Sequence, residues 1–316
     1  MVKRILEATR SDFEAMSSKD LAESIAASDG RTIAAEVMVC AEPLVDGVTN
    51  AELAAAFGAD LIILNMYDVQ KPEIIPFKEG PTIKDLKKLV GRPIGIRLEP
   101  ADPEAIVLGK GEYTQLPGRL ATRYEVTPGR LATRENVKTA LKQGIDFINL
   151  TGNPNTGVTN RLIKKSIREL KEEVGDKLLV FAGRQHSTGI AGETSAQITT
   201  VDDAKDYVKA GCDGVIVPSP GAVPGITVDI AKELVDAAHG EGALAMSCMS
   251  TSQEGADADT IRRIALYGKM TGADIYHIGD AGYYPSMAAP ENIMAYSVAI
   301  KGRRHTYRRM AMSPAR

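Results

Sequence analysis

The sequence predicts a single α/β domain built as a closed (β/α)8 TIM barrel, on three observations. Short β-branched runs recur eight times: TIAAEVM (32–38), DLIILN (60–65), PIGIRL (93–98), IDFINL (145–150), LLVFAG (178–183), DGVIVP (213–218), ALAMS (243–247) and ADIYHI (273–278). All but the first and seventh are nearly continuously apolar, as parallel strands covered on both faces should be. Their starts lie 28, 33, 52, 33, 35, 30 and 30 residues apart, about one strand, loop and helix each.

Taken in order, residues 1–30 read as an N-terminal plug, with a helix over about 11–28 whose Phe13, Met16, Leu21 and Ile25 suit packing under the barrel floor. Thr49 with Glu52 and Thr82 with Asp85 have the spacing of capping boxes, and Pro290 suits a first helical position. The 52-residue interval is anomalous: 99–134 shows little helical periodicity and holds PGRLATR twice, at 117–123 and 128–134. The first copy alternates around a Pro-Gly turn, as a hairpin would, and the second leads into a helix. The insertion is expected to be a lid or an oligomer arm. Residues 301–316, which open with KGRRHTYRRM, read as a basic tail, solvated or in a subunit contact.

Composition narrows the classes. A chain of 316 residues with 44% hydrophobic and 25% charged residues excludes disorder and collagen. Thirty-eight basic against 41 acidic residues leave a net charge of −3, so no global field draws the protein onto nucleic acid. Cys40, Cys212 and Cys248 form no CxxC pair, which argues against a disulfide framework or zinc knuckle. MVKRILEATRSDFEAM is charged too early for a secretory signal, and no window approaches the roughly 18 apolar residues of a membrane span. The expectation is a cytoplasmic protein with no membrane partner, assembled as a homo-oligomer.

Barrel active sites are built from the loops after the strands, and that position selects a polar ring. Glu36, Asn65, Arg97, Glu99, Asn149 and Asn153 stand at or just after strands 1 to 4, Arg184 and His186 follow strand 5, and His277 and Asp280 close strand 8. Arg97 could neutralise carboxylates or bind an anion. Three turns suit oxyanions: TGNPNTGVTN (151–160) opens a helix, while SCMSTSQEGAD (247–257) and HIGDAG (277–282) follow strands 7 and 8. Thr251, Ser252, Gly279 and Gly282 are the phosphate candidates there, against ordinary helix capping.

Several mechanisms lack their residues. No dinucleotide GxGxxG turn, Walker lysine motif, GxSxG elbow or HExxH occurs, so neither NAD nor ATP is implied. No lysine ends a strand, which removes the imine-forming aldolase route. DADTI (257–261) mimics the nucleophile motif of haloacid dehalogenase-type phosphatases, but it opens a helical pattern and reads as a cap.

At VTNAELAAAFGADLIILN, LTGNPNTGVTN, STSQEGAD, HIGDAGYY and RHTYRRMAMS the chain resembles a bacterial barrel family of unassigned function. Its members are loosely labelled haloacid dehalogenase-like or phosphoenolpyruvate phosphonomutase-like. The stretch through strand 2 is similar to the opening of the phosphoenolpyruvate mutase and isocitrate lyase superfamily, although the acidic magnesium cluster and KxGH-type loop of those enzymes are missing. The resemblance implies the barrel and a bacterial setting.

The function expected is proton transfer next to a carbonyl on a small anionic metabolite, phosphorylated or carboxylated and most simply a sugar phosphate, by an isomerase, epimerase or lyase. Glu36, Glu99 or His277 would be the base, Arg97 and the amides of loops 7 and 8 the anion clamp, and His186 a lid-borne acid. A binding or assembly protein without turnover is one alternative. Another is a hydrolase or lyase dependent on a divalent metal such as magnesium, held by His277, Asp280, His186 and carboxylates.

Overall fold

A computed structural model describes residues 2–77, 82–101, 126–152, 156–186, 198–282 and 285–316. Eight parallel strands close into a barrel in sequence order: β1 (Thr32–Met38), β2 (Leu61–Asn65), β3 (Ile94–Leu98), β4 (Phe147–Leu150), β5 (Leu179–Gly183), β6 (Gly214–Pro218), β7 (Leu244–Met249) and β8 (Ile275–Ile278). The described helices are α1 (Arg10–Ala15), α2 (Ser18–Ala26), α3 (Asn50–Ala56), α4 (Ile83–Val90), α5 (Arg134–Gln143), α6 (Asn160–Val174), α7 (Val201–Lys209), α8 (Val228–Gly240), α9 (Ala258–Met270) and α10 (Pro290–Ala311). The capping boxes at Thr49 and Thr82 form, and Pro290 opens α10. Asp257 caps α9 through the Asp259 and Thr260 amides, so DADTI is a helix start.

The apolar runs divide with period two between two cores. Ile33, Ala35, Val37, Ile62, Leu64, Ile94 and Ile96 belong to the cluster shared with the helices. Ala34, Leu61, Ile63, Phe147, Phe181, Met246 and Ile275 fill the barrel interior. Two interior rings fit because strand positions beside them lack a side chain: a Cβ on Gly95 would lie 2.2 Å from Phe147, and one on Gly214 would lie 2.4 Å from Phe181. The rings meet edge to face at 6.0 Å. Gly95→Ala should therefore cost about 1–3 kcal/mol through overpacking, read as a lower urea midpoint at unchanged slope; an unmoved midpoint contradicts this account.

The N-terminal segment is two helices, not the one expected, because Met16 turns extended and Ser17 caps a new helix. Leu21 and Ile25 join the interior cluster from below. The basic segment 301–316 also differs from a solvated tail: the chain is helical to Ala311 and bends at Gly302, whose φ of 76° is left-handed. The bend turns Lys301 and Arg309 onto buried Asp60. Asp60 Oδ2 accepts from Lys301 Nζ at 2.5 Å and from the Ile33 amide at 2.9 Å, while Oδ1 accepts from Arg309 Nε at 2.8 Å. Arg309 also donates to the carbonyls of Ile5 and Ala8, and Arg92 donates to the Arg309 carbonyl at 2.9 Å. One carboxylate thus ties both termini to the barrel floor.

Most of the insertion expected as a lid or arm, including the first PGRLATR, lies outside the described residues. The second copy is part of the barrel. Pro128–Arg130 makes a single tight turn before α5, packed so closely on Asp68 that a Cβ on Gly129 would fall 1.7 Å from its Oδ1.

Candidate active site

On five strands the inward-facing series turns polar toward the C-terminal end. Ala34 is followed two residues on by Glu36, Ile63 by Asn65, Gly95 by Arg97, Phe147 by Asn149 and Ile275 by His277. A cavity of about 380 Å3 opens there, a size that suits a small metabolite. Of the expected residues, Glu36, Asn65, Arg97, Glu99, His186, Thr251, Ser252, Gly279, Asp280 and Gly282 line it. His277 and Asn149 are buried beneath the wall, and Arg184 is buried off it. Asn153 lies outside the described residues.

At the base, buried Glu36 accepts from Arg97 Nη1 through Oε1 and from His277 Nε2 through Oε2, each at 2.9 Å. Arg97 Nη2 donates to Gln185 Oε1 at 2.6 Å. Burial pushes the Glu36 carboxyl up, but Arg97 and His277 outweigh it and hold it down to about 2. Burial likewise lowers His277, and its β7 neighbour Cys248 with Glu36 outweighs that and raises it to about 10. Neither group is a free base at neutral pH. Glu99 is engaged as well, paired with Arg130 and accepting from Thr156 at 3.3 Å.

The cavity's adjustable protons sit elsewhere. Asp280 accepts from Asn65 Nδ2 at 2.6 Å and from the Gly282 amide at 2.8 Å. Burial and then repulsion from Glu36 raise it to about 6. Glu254, in the turn Gln253–Gly255, is buried with Oε2 unpartnered, and burial followed by repulsion from Asp280 raises it to about 7. Gly279 makes room for it: a Cβ there would lie 2.3 Å from Glu254 Oε1. His186 is lowered to about 4 by burial and by Arg97 and Arg184, leaving a neutral ring that can donate a hydrogen bond but has no ready proton to give as an acid.

Sequence reasoning missed Glu254, Gln185, Arg130 and Thr156. Glu254 follows strand 7 inside STSQEGAD, where a carboxylate after two serines reads as helix chemistry. Gln185 stands between the charged residues that drew attention. The backbone at the cavity is also unusual, since Met66, Ser252 and Ala281 on its wall have φ of 64°, 74° and 57°. Strained backbone of this kind collects at functional sites. Among the described residues, no group of three or more His, Cys, Asp or Glu is placed to hold a metal ion, and no helix is long and apolar enough to cross a membrane.

A family model described as a domain of unknown function, DUF7916, matches residues 6–316. The chain belongs to the DUF7916 family. No match is found among curated proteins. Among solved structures the DUF7916 chain is similar to 2,3-dimethylmalate lyase, described as a PEP mutase/isocitrate lyase superfamily member, at 12% identity and TM-score 0.48, covering 85% of this chain and 82% of that one. It is also similar to the YdjI aldolase from Escherichia coli K12, at 11% identity and TM-score 0.46 over 93% and 97% of the two chains. The thiamine phosphate pyrophosphorylase from Pyrococcus furiosus matches at 11% identity and TM-score 0.46 over 87% and 98%. None of these matches is to a haloacid dehalogenase, the other label the sequence suggested.

Proposed function

We propose that this DUF7916 protein is an enzyme that moves a proton next to a carbonyl of a small metabolite, as an isomerase, epimerase or lyase. One observation carries the reading: carboxyls on a single cavity wall have proton affinities driven apart, with Glu36 held to about 2, Asp280 raised to about 6 and Glu254 to about 7. Groups whose environments separate them in this way divide acid and base roles, and those poised near neutral transfer protons best. In this reading Asp280, mostly ionised at neutral pH, takes the proton, and Glu254 supplies or recovers one. Neutral His186 donates a hydrogen bond to the carbonyl oxygen as charge develops on it. Glu36, Arg97 and His277 fix the charge beside Asp280 and act through it.

The test works without the product being identified. In deuterium oxide with a panel of hydroxyaldehydes, hydroxyketones and oxo acids, proton NMR should show loss of the signal next to the carbonyl in at least one compound. Asp280→Asn should slow that exchange by about 100- to 10,000-fold. Exchange in no compound removes the proposal and leaves the reading of a binding protein without turnover, and undiminished exchange in the variant overturns the role given to Asp280.

A further inference from the structure

We infer that the cavity takes an uncharged hydroxy-carbonyl compound, a sugar-like aldehyde or ketone without a phosphate ester. That the ligand has a carbonyl rests on the proton-transfer reading above; that it lacks a phosphate rests on the wall alone.

A phosphate needs donors that are not already engaged and cationic charge that is not already neutralised. The loops after β7 and β8, where barrels commonly hold phosphate, provide little of either among the described residues. The Gly279 amide donates to the Met249 carbonyl and the Gly282 amide to Asp280 Oδ1, each at 2.8 Å. The Thr251 hydroxyl donates to the Ala222 carbonyl. The Gly279 and Gly282 amides and the Thr251 hydroxyl are thus committed to the loops themselves. The guanidiniums on the wall are matched by carboxylates, Arg97 by Glu36 and Arg130 by Glu99. Asp280 and Glu254 then add acidic groups for which the wall, among the described residues, has no further cation. A dianion placed beside Asp280 and Glu254 would meet like charge at short range.

The groups left over suit hydroxyls. Glu254 Oε2, Gln185 Nε2 and Ser250 Oγ are buried, lack a hydrogen-bond partner among the described residues and belong to residues lining the cavity. Glu254 and Gln185 are 2% and 1% exposed, so bulk solvent leaves them largely unsolvated. Together they offer a carboxyl oxygen, an amide N–H and a hydroxyl. A ligand bearing neighbouring hydroxyls is both donor and acceptor and satisfies all three, whereas a phosphate oxygen only accepts. Buried polar groups left unpaired are costly, and a site built to pair with hydroxyls discriminates strongly for them.

Matched pairs test this with the intact protein. Trioses, pentoses and hexoses in keto and aldo forms, each with and without its terminal phosphate ester, are added at constant ionic strength in buffer free of phosphate, and thermal unfolding is followed. At least one unphosphorylated member should raise the midpoint by several degrees at saturation, its ester should raise it less, and inorganic phosphate should not compete. Ser250→Ala, a small change, should weaken that binding several-fold, and Gln185→Leu more than 10-fold, with far-UV circular dichroism confirming that each variant is folded. A shift by an ester and not by its parent overturns the inference, as does competition by inorganic phosphate or the absence of any shift. Deuterium exchange on the same compounds separates the two claims. Binding of the parent sugar without exchange keeps this inference and removes proton transfer, while exchange of the ester alone does the reverse.

Discussion

Replacing Asp60 by asparagine should lower the unfolding free energy by about 3–5 kcal/mol, the usual cost of breaking a buried ion pair by removing one partner. Lys301, Arg309 and Arg92 are all buried around it, and Asp60 is the carboxylate that Lys301 and Arg309 share. Asparagine keeps one acceptor oxygen but offers no charge, so two cations stay in the interior uncompensated. The loss is not local, because Arg309 also holds the carbonyls of Ile5 and Ala8. Both termini should loosen together in hydrogen exchange. Urea unfolding followed by circular dichroism measures the effect, which suits a chain without tryptophan.

Lysine chemistry gives the same prediction a pH signature. Burial, against the pull of Asp60, lowers Lys301 from its ordinary 10.5 to about 8. Between those values the unfolded chain binds the extra proton, so stability contributed at this site rises with pH across that window. Without Asp60 the Lys301 proton leaves still more readily, so the penalty of Asp60→Asn should shrink as pH rises to about 8 and stay constant above it, where Lys301 is neutral in both folded proteins. A midpoint equal to wild type at pH 7 would show that the floor cluster does not hold the termini.

The barrel and the polar ring were legible for one reason, and the cavity's working groups were hidden for another. Eight buried runs at near-constant spacing admit few architectures, and an inward series such as Ala34 then Glu36, or Gly95 then Arg97, marks where interior meets mouth. Spacing cannot say which charged residues cancel. Glu36 and Glu99 stood out as bases, yet each is neutralised by an arginine, one of them Arg130 from a repeat that looked like an arm. Glu254 looked like part of a helix start, and only the packing of Gly279 against its carboxyl places it at the cavity. Two residues of the basic tail were hidden for a related reason: Lys301 and Arg309 resemble their exposed neighbours Arg303, Arg304 and Arg308 until the bend at Gly302 turns them inward.

Glu254→Gln should do two opposed things. As a carboxyl replaced by an amide of nearly equal shape, it should retain the cavity and slow deuterium exchange by about 100- to 10,000-fold. It should also stabilise the fold above neutral pH. The Glu254 carboxyl rises from its ordinary 4.5 to about 7 in the folded chain, so the folded state holds its proton where the unfolded state has released it. Stability contributed here falls as pH rises through that window and stays reduced above it. Glutamine has no such loss. The variant should therefore match wild type near pH 4 and exceed it by up to about 3 kcal/mol above pH 7, from a shift of that size at about 1.4 kcal/mol per unit. A gain in stability where activity disappears is expected of a group kept for chemistry at the expense of folding. Equal midpoints at pH 4 and pH 8 would mean that Glu254 is solvated or paired. An unstable variant at both would make it a structural carboxyl, and its part in proton transfer would have to pass to Asp280 alone.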